Sequence, residues 1–214
     1  TDPANIVVNG AYKVSKWQVN DQIVLTRNPA YYDDANTKID TVTMLAIPSS
    51  TTDVARYQAG EIDMTYNEIP TEQFASLKEQ LGDELTVSPY LCTYYYEFNT
   101  VKPPFDDVKV RRALALALDR DTVVDKVIGQ GQTAAYQLTP TATNGGVKNT
   151  PEWSTWDQEK RLAEAKKLLN EAGYSESNPL KFELLYNTND LHKKTALAVA
   201  SLWKQSLGFV DVNL

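Results

Sequence analysis

The stretch PFDDVKVRRALALALDRD, at residues 104–121, contributes most to the fold prediction. Asp106 and Asp107 are residue types that begin helices, so a helix is predicted from Val108 to Leu118. Apart from two arginines, this segment is apolar nearly all round. A helix of that kind is buried on most sides, so we expect it in the core of a packed structure.

Helices and strands are also predicted on the C-terminal side of this stretch. Asp119 marks the start of a further helix that stops at Gly129, and residues 130–150, rich in Thr, Pro, Gly and Asn, are predicted to form an extended loop. The remaining elements are an amphipathic helix from Gln158 to Ala172, a strand from Leu180 to Tyr186, a helix from Asp190 to Leu207 and the beginning of a strand at Val210.

The pattern on the N-terminal side is richer in strands. The predicted elements are a hairpin over residues 10–27, a strand from Ile39 to Ile47, a helix that ends at Gly60, a short strand from Ile62 to Tyr66, a helix that ends at Gly82 and a long aromatic strand from Leu85 to Phe98. A β-rich part followed by an α/β part indicates an α+β (mixed α/β) fold.

Composition excludes several classes of protein. The 214 residues carry 28 acidic and 21 basic side chains, which gives a net charge of −7. No run approaches the roughly 18 apolar residues of a membrane-spanning helix, and an acidic chain without a Lys/Arg cluster is a poor partner for nucleic acid. One Cys and one His give little basis for a metal site. Gly129–Gln132 lacks the Lys-Ser/Thr of a phosphate loop, so no cofactor is predicted.

Residue patterns typical of catalysis are scarce. His192 is the only His, and no Gly-x-Ser-x-Gly elbow is present. A Cys92–His192 dyad would allow a Cys-dependent hydrolase, although Cys92 lies in an apolar segment, where a thiol is usually an inert core residue. The 12 Tyr and 4 Trp favour ligand binding instead, because Tyr combines a flat apolar ring with a polar tip. Packing in the core or on the surface is the alternative role for Tyr94–Tyr96. We expect a binding protein and not an enzyme.

The ends of the sequence favour a piece of a longer chain. The chain begins at Thr1 without a Met or a leader peptide. Val210–Leu214 alternates apolar and polar residues, as the first half of a strand does. We expect further segments on both sides.

Several segments, in their order along the chain, resemble the peptide-binding branch of the extracytoplasmic solute-binding proteins of ABC importers. They cover nearly the whole chain and comprise Asn9–Tyr12, Arg27–Tyr32, Gln58–Asp63, Asn99–Leu114 with Asp119 and Arg120, and Glu164–Leu169 with Ala172–Tyr174. Two further stretches, Pro89–Glu97 and Leu185–Lys194, are similar to the periplasmic oligopeptide-binding and murein-peptide-binding members.

The resemblance implies a two-lobe periplasmic-binding-protein fold of the peptide-binding type, truncated at both ends. Residues 1–91 would belong to the lobe that carries the chain termini, and residues 92–214 to a hinge strand and part of the second lobe. The implied function is extracytoplasmic capture of short oligopeptides, in extended form between the lobes, for the membrane subunits of an ABC importer. Murein peptides or dipeptides are the alternative ligands.

The matching motifs also imply site residues. The ligand-binding set is Tyr66, Asn67, Tyr90, Tyr95, Asn187 and His192. Of these, His192 either faces a ligand carboxylate or lies on the surface at a helix start. Ile128 stands where many oligopeptide binders have a Lys, which removes one route to holding that carboxylate. Cys92 would form a structural disulfide with a Cys beyond Leu214, a bond that an oxidising periplasm permits.

Overall fold

The computed structural model describes residues 2–66, 68–146 and 149–214 of the chain. It contains two compact units, Thr1–Glu68 and Ile69–Leu214. Helices and strands are mixed along the chain, so the predicted α+β class is confirmed. The predicted division into lobes at residues 91 and 92 concerns a longer protein and stays a prediction.

The first unit is built on a three-stranded antiparallel sheet in the order β1-β2-β3. Its strands are β1 (Tyr12–Gln18), β2 (Gln22–Arg27) and β3 (Thr41–Leu45). Asn20 takes a φ of 59° in the turn between β1 and β2, a left-handed conformation that Asn tolerates better than most residues. The predicted hairpin and the strand after it are therefore confirmed.

The described residues of the first unit also form one α-helix and two short 3₁₀-helices. The helix α1 (Ser50–Gln58) begins after Ser49, whose hydroxyl accepts a hydrogen bond of 3.3 Å from the amide of Thr52. The 3₁₀-helices are Pro3–Asn5 and Asp34–Asn36. The interior of this unit includes polar groups, since Asn28 is buried and donates from its amide to the carbonyl of Gly10 at 2.9 Å.

The second unit contains most of the helices. Its α-helices are α2 (Phe74–Leu81), α3 (Val108–Ala117), α4 (Arg120–Thr122), α5 (Gln158–Glu171) and α6 (Asp190–Leu207). A π-helical turn, Val123–Ile128, continues α4, and 3₁₀-helices cover Gly82–Glu84 and Glu152–Thr155. Two parallel strands, β4 (Leu180–Glu183) and β5 (Val210–Asn213), flank α6 in the sequence. Every helix predicted in this region is present, with ends shifted by a few residues.

The core of the second unit lies where the quoted stretch predicts it. The buried face of α3 comprises Val110, Ala113, Leu114, Leu116 and Ala117. On α6, buried residues recur at helical spacing, and the indole Nε1 of Trp203 donates to the carbonyl of Leu114 at 3.0 Å. This buried hydrogen bond joins two helices whose buried faces are mostly apolar.

Two predicted strands are wrong. Ile62–Tyr66 and Leu85–Phe98 are not strands in the described residues, although both are rich in β-branched or aromatic residues. Strand propensity describes how well a side chain suits a pleated surface, and a strand also requires a paired neighbour. No strand among the described residues pairs with either segment.

Candidate functional site

Two predicted ligand-binding residues meet at the beginning of α6. Asn189 caps this helix, because its side-chain oxygen accepts a 2.9 Å hydrogen bond from the amide of His192. The imidazole Nδ1 of His192 is hydrogen-bonded to the side-chain oxygen of Asn187. With Nδ1 engaged by Asn187, Nε2 is the ring nitrogen left to face another group. The hydrogen bond to Asn187 therefore orients the imidazole.

Aromatic rings from the segment before α3 pack against this imidazole. The ring of Tyr94 lies with its centroid 4.9 Å from that of His192, at an interplanar angle of 43°. Tyr96 contacts Tyr94 edge-on at 5.6 Å. Burial, and then the neighbouring Tyr94, raises the pKa of Tyr96, so this phenol stays neutral at physiological pH. We call Asn187, His192, Tyr94 and Tyr96 the imidazole cluster.

The other predicted ligand residues lie outside this cluster. Tyr90 and Tyr95 belong to the same aromatic segment and are 85% and 55% exposed, with no ring contact recorded for either in the described part of the chain. Tyr66 lies in the first unit and is 81% exposed. Asn67 lies outside the described residues. The structure thus brings together Asn187 and His192 and leaves Tyr66, Tyr90 and Tyr95 exposed.

The exposure of Cys92 differs from what the sequence predicts. The sequence predicts a buried, inert thiol, but Cys92 is exposed and unpaired within the chain. The physical reason is that the segment around it is not a strand of a core sheet. The proposed pairing with a Cys outside these 214 residues is compatible with an exposed thiol and stays a prediction.

Lys194 forms a second polar arrangement on α6, two residues after His192. Its ammonium lies 2.6 Å from a carboxylate oxygen of Glu72 and is also hydrogen-bonded to the Thr71 hydroxyl. That hydroxyl donates in turn to Glu72 at 2.8 Å. These hydrogen bonds, the one from Lys194 first, lower the pKa of Glu72 from its usual 4.5 to about 2. Nearby, the side-chain amide of Gln130 donates to the carbonyl of Ile69.

Sequence reasoning missed the contact of Tyr94 with His192 and the ion pair of Lys194 with Glu72. The spacing of Tyr94 and Tyr96 was a usable signal, because residues two apart in extended chain share a side. No comparable signal exists for Glu72 and Lys194, which are 122 residues apart in the sequence.

A cavity of about 500 Å³ lies apart from the imidazole cluster, and none of the predicted ligand-binding residues lines it. It borders α4 and the start of α5, with Arg161 at its wall. Arg161 is buried and donates to the hydroxyl of Tyr136 at 2.7 Å. The ring of Trp153 contacts that of Tyr136 edge-on, with the ring centroids 5.5 Å apart.

The described residues offer no group of three or more His, Cys, Asp or Glu that could hold a metal ion. Within the same residues, no helix combines the length and the apolar character needed to cross a lipid bilayer.

Comparison with known sequences gives a consistent family match. A family model described as "Bacterial extracellular solute-binding proteins, family 5 Middle" matches residues 1–214. The periplasmic oligopeptide-binding protein OppA of Salmonella typhimurium is 60% identical over 100% of this chain and 39% of its own length. The probable deoxycholate-binding periplasmic protein YgiS of Escherichia coli is 44% identical over 96% of this chain and 38% of its own length. The chain spans about two fifths of the length of these relatives.

Solved structures match over the same extent. Haemophilus influenzae OppA in complex with the peptide RPPGFSPFR has a TM-score of 0.90 at 50% identity, covering 100% of this chain and 42% of that chain. The Escherichia coli murein tripeptide binding protein MppA has a TM-score of 0.92 at 41% identity, over 100% of this chain and 42% of its own. An unliganded open form of MppA, also 41% identical and covering 100% and 41%, has a TM-score of 0.63.

Proposed function

Because this chain belongs to family 5 of the bacterial extracellular solute-binding proteins, we propose that it is part of the peptide-binding subunit of an ABC importer. The family and fold predicted from sequence are confirmed, and the relatives are solute-binding proteins, which are not enzymes. The observation that carries the proposal is the match to a peptide-bound OppA over the whole of this chain.

The proposed ligand is a short peptide, bound in extended form between two lobes. Residues 1–91 would contribute to the lobe with the chain termini, and residues 92–214 to a hinge and part of the other lobe. Hydrogen bonds to the peptide main chain would supply affinity that is independent of sequence. Water in the side-chain pockets would let different side chains be accepted.

The imidazole cluster supports a specific role for His192. With Nδ1 occupied by Asn187, protonation of Nε2 would give a second donor that points to a ligand carboxylate. The ring of Tyr94 holds the imidazole from one face. Tyr66, Asn67, Tyr90 and Tyr95 would line the rest of the cleft, which is consistent with the high exposure of the three tyrosines in this chain alone.

The proposed location is extracytoplasmic, and the proposed partners are short peptides and the membrane subunits of the importer. The family description and the periplasmic relatives support this placement. Cys92 is the only Cys and is exposed, so its disulfide partner would lie outside these 214 residues. The bond would form in an oxidising compartment.

The proposal is tested by calorimetry on the protein at the length of its relatives, with tri-, tetra- and nonapeptides. We expect micromolar or tighter binding, and we expect His192→Ala to weaken it about tenfold or more, since a hydrogen bond to a charged group contributes about 1.5–3 kcal/mol. Lys193→Ala, an exposed neighbour on the same helix turn, is the matched control and should bind like the unchanged protein. Failure to bind any peptide in the series would contradict the proposal.

A murein peptide is the second candidate ligand, supported by the similarity to MppA with a TM-score of 0.92. Murein tripeptide and deoxycholate belong in the same titration, the latter because of the similarity to YgiS. Mass spectrometry of ligand that co-purifies with the protein would rank the three. Incubation of these peptides with the protein tests the hydrolase alternative: cleavage that stops when a free Cys92 is alkylated would support a nucleophilic role, and peptides that stay intact would remove it.

A further inference from the structure

Contacts within the second unit join residues 69–87 to segments far along the chain. Glu72 and Thr71 bind the ammonium of Lys194, and the Ile69 carbonyl accepts from the amide of Gln130. Next to Gln130, a Cβ placed on Gly131 would lie 3.6 Å from a methyl group of Val87. Each contact has one member before residue 91 and one after it, so each crosses the proposed boundary between the lobes.

The second compact unit begins at Ile69 and not at the proposed lobe boundary, so it includes the residues that make these contacts. In α2 and the turn before it, Pro70 and Leu77 are buried. Lys194 and Gln130 connect this stretch to α6 and to the end of the π-helical turn. Residues 69–91 are therefore attached to the unit that contains the second proposed lobe.

The segment matched by this chain takes different conformations in two MppA structures. The TM-score is 0.92 against one and 0.63 against the unliganded open form, at 41% identity in both comparisons. The structure described here is similar to the first and differs from the second.

We infer that Glu72–Lys194, with Thr71 and the Ile69–Gln130 hydrogen bond, is a closure latch that holds the two lobes together in the ligand-bound conformation. This inference rests on the proposed function, and it assigns to these residues a role in closure without contact to the peptide. A latch of this kind acts on affinity, because a ligand that binds the closed form gains from any contact that raises the closed population.

The geometry suits a latch that can open. The side chains of Lys194 and Glu72 are 37% and 68% exposed, so the ion pair is screened by water and contributes modestly. The Thr71 hydroxyl binds both charged groups and so fixes their geometry. Gln130 stands between Gly129 and Gly131, whose φ values of 69° and 95° fall in the region that favours glycine. The segment Gly129–Gln132, which lacks the Lys-Ser/Thr of a phosphate loop, thus positions the hydrogen bond from Gln130 to the Ile69 carbonyl.

The test is a double-mutant cycle on the protein at the length of its relatives. Two quantities are measured for each variant: the Kd for a tripeptide, and the radius of gyration with and without peptide. Glu72→Gln and Lys194→Met should each weaken binding about two- to fivefold. The double variant should be no weaker than either single variant, because each removes the same contact. The charge swap Glu72→Lys with Lys194→Glu should restore part of the affinity.

The matched control is the ion pair of Lys109 and Glu171, at 3.2 Å with both side chains about two fifths exposed. Both residues lie after residue 91, so Lys109→Met and Glu171→Gln should leave the Kd and the peptide-induced compaction unchanged. The latch would be overturned if the losses of affinity at Glu72 and Lys194 were additive, or if the control variants weakened binding equally. In either case, peptide binding by the unchanged protein would still uphold the proposed function. If that protein bound no peptide, the proposed function would fail. The latch would then stand only if Glu72→Gln increased the radius of gyration and the control variants did not.

Discussion

The two compact units of this chain are stabilised in different ways. Among the buried apolar side chains of the described residues, all but Val54 belong to the second unit. The first unit combines a three-stranded sheet with polar anchors such as Asn28 and the ion pair of Arg27 with Asp34 at 2.5 Å. Apolar burial scales with area and has no direction, whereas hydrogen bonds depend on geometry and contribute less each. We therefore expect side-chain truncation to affect the units unequally.

The largest effect should come from the core of the second unit. Trp203→Ala removes a side chain that is 3% exposed and deletes the hydrogen bond to the Leu114 carbonyl. We expect a loss of about 3–5 kcal/mol in the free energy of unfolding, measured by urea denaturation followed by circular dichroism. Trp17→Ala in β1, where the side chain is 41% exposed, is the control and should cost about 1 kcal/mol or less. Equal losses would contradict the proposed contrast between the units.

A smaller effect is expected from the polar anchor of the first unit. Asn28→Ala removes the hydrogen bonds from its amide to Gly10 and from the Ala30 amide to its side-chain oxygen. We expect the free energy of local unfolding to fall by about 1–2 kcal/mol, which would be measured as faster hydrogen exchange of the β1 and β2 amides. The exposed Asn36→Ala should leave this exchange nearly unchanged. No change in the Asn28 variant would show that the sheet alone holds this unit together.

The loss of an N-cap side chain can be compared in the two units. Asp157 accepts from the amide of Lys160 at 2.7 Å at the start of α5, whereas Ser49 accepts at 3.3 Å at the start of α1. We expect Asp157→Ala to lower the free energy of unfolding by about 1 kcal/mol and Ser49→Ala to lower it by about 0.5 kcal/mol. Thermal unfolding followed by circular dichroism measures both values. The reverse order would show that cap geometry does not set the cost here.

The smallest effect concerns Glu72 and its pH dependence. Its pKa of about 2 lies below the usual 4.5, because Lys194 and Thr71 stabilise the carboxylate. The stabilising contribution is therefore fully present above about pH 4.5 and is lost as the pH falls through about 2. An NMR titration of the Glu72 carboxyl should show this low midpoint, and Lys194→Met should move it upward. A midpoint that is unchanged by Lys194→Met would mean that the ion pair is not formed in solution.

Helices were predictable in this chain because their signals are local. Asp107, Asp157 and Asn189 lie at N-caps, and Gly208 ends α6 with a φ of 83°. Each signal acts within a few residues, so one sequence is enough to detect it. The hairpin of β1 and β2 was predictable for the same reason, since its turn lies at Asn20.

The features that could not be predicted from the sequence depend on residues far apart in the chain. Leu85–Phe98 has the composition of a strand, but composition does not provide a neighbouring strand. The contact of Tyr94 with His192 and the ion pair of Glu72 with Lys194 join residues far apart in the chain. Asn187 and His192 were predicted as ligand residues through the resemblance to a family. They lie close together because both are within a few residues of the start of α6.

The distribution of tryptophan gives the two units separate optical signals. Of the 4 Trp, Trp17 lies alone in the first unit and is 41% exposed, while Trp203 in the second is 3% exposed. A buried indole fluoresces at shorter wavelength and is shielded from aqueous quenchers such as iodide. Emission that survives iodide therefore comes mainly from the second unit, and the quenched fraction includes the first. Each unit can then be followed through unfolding without any added label.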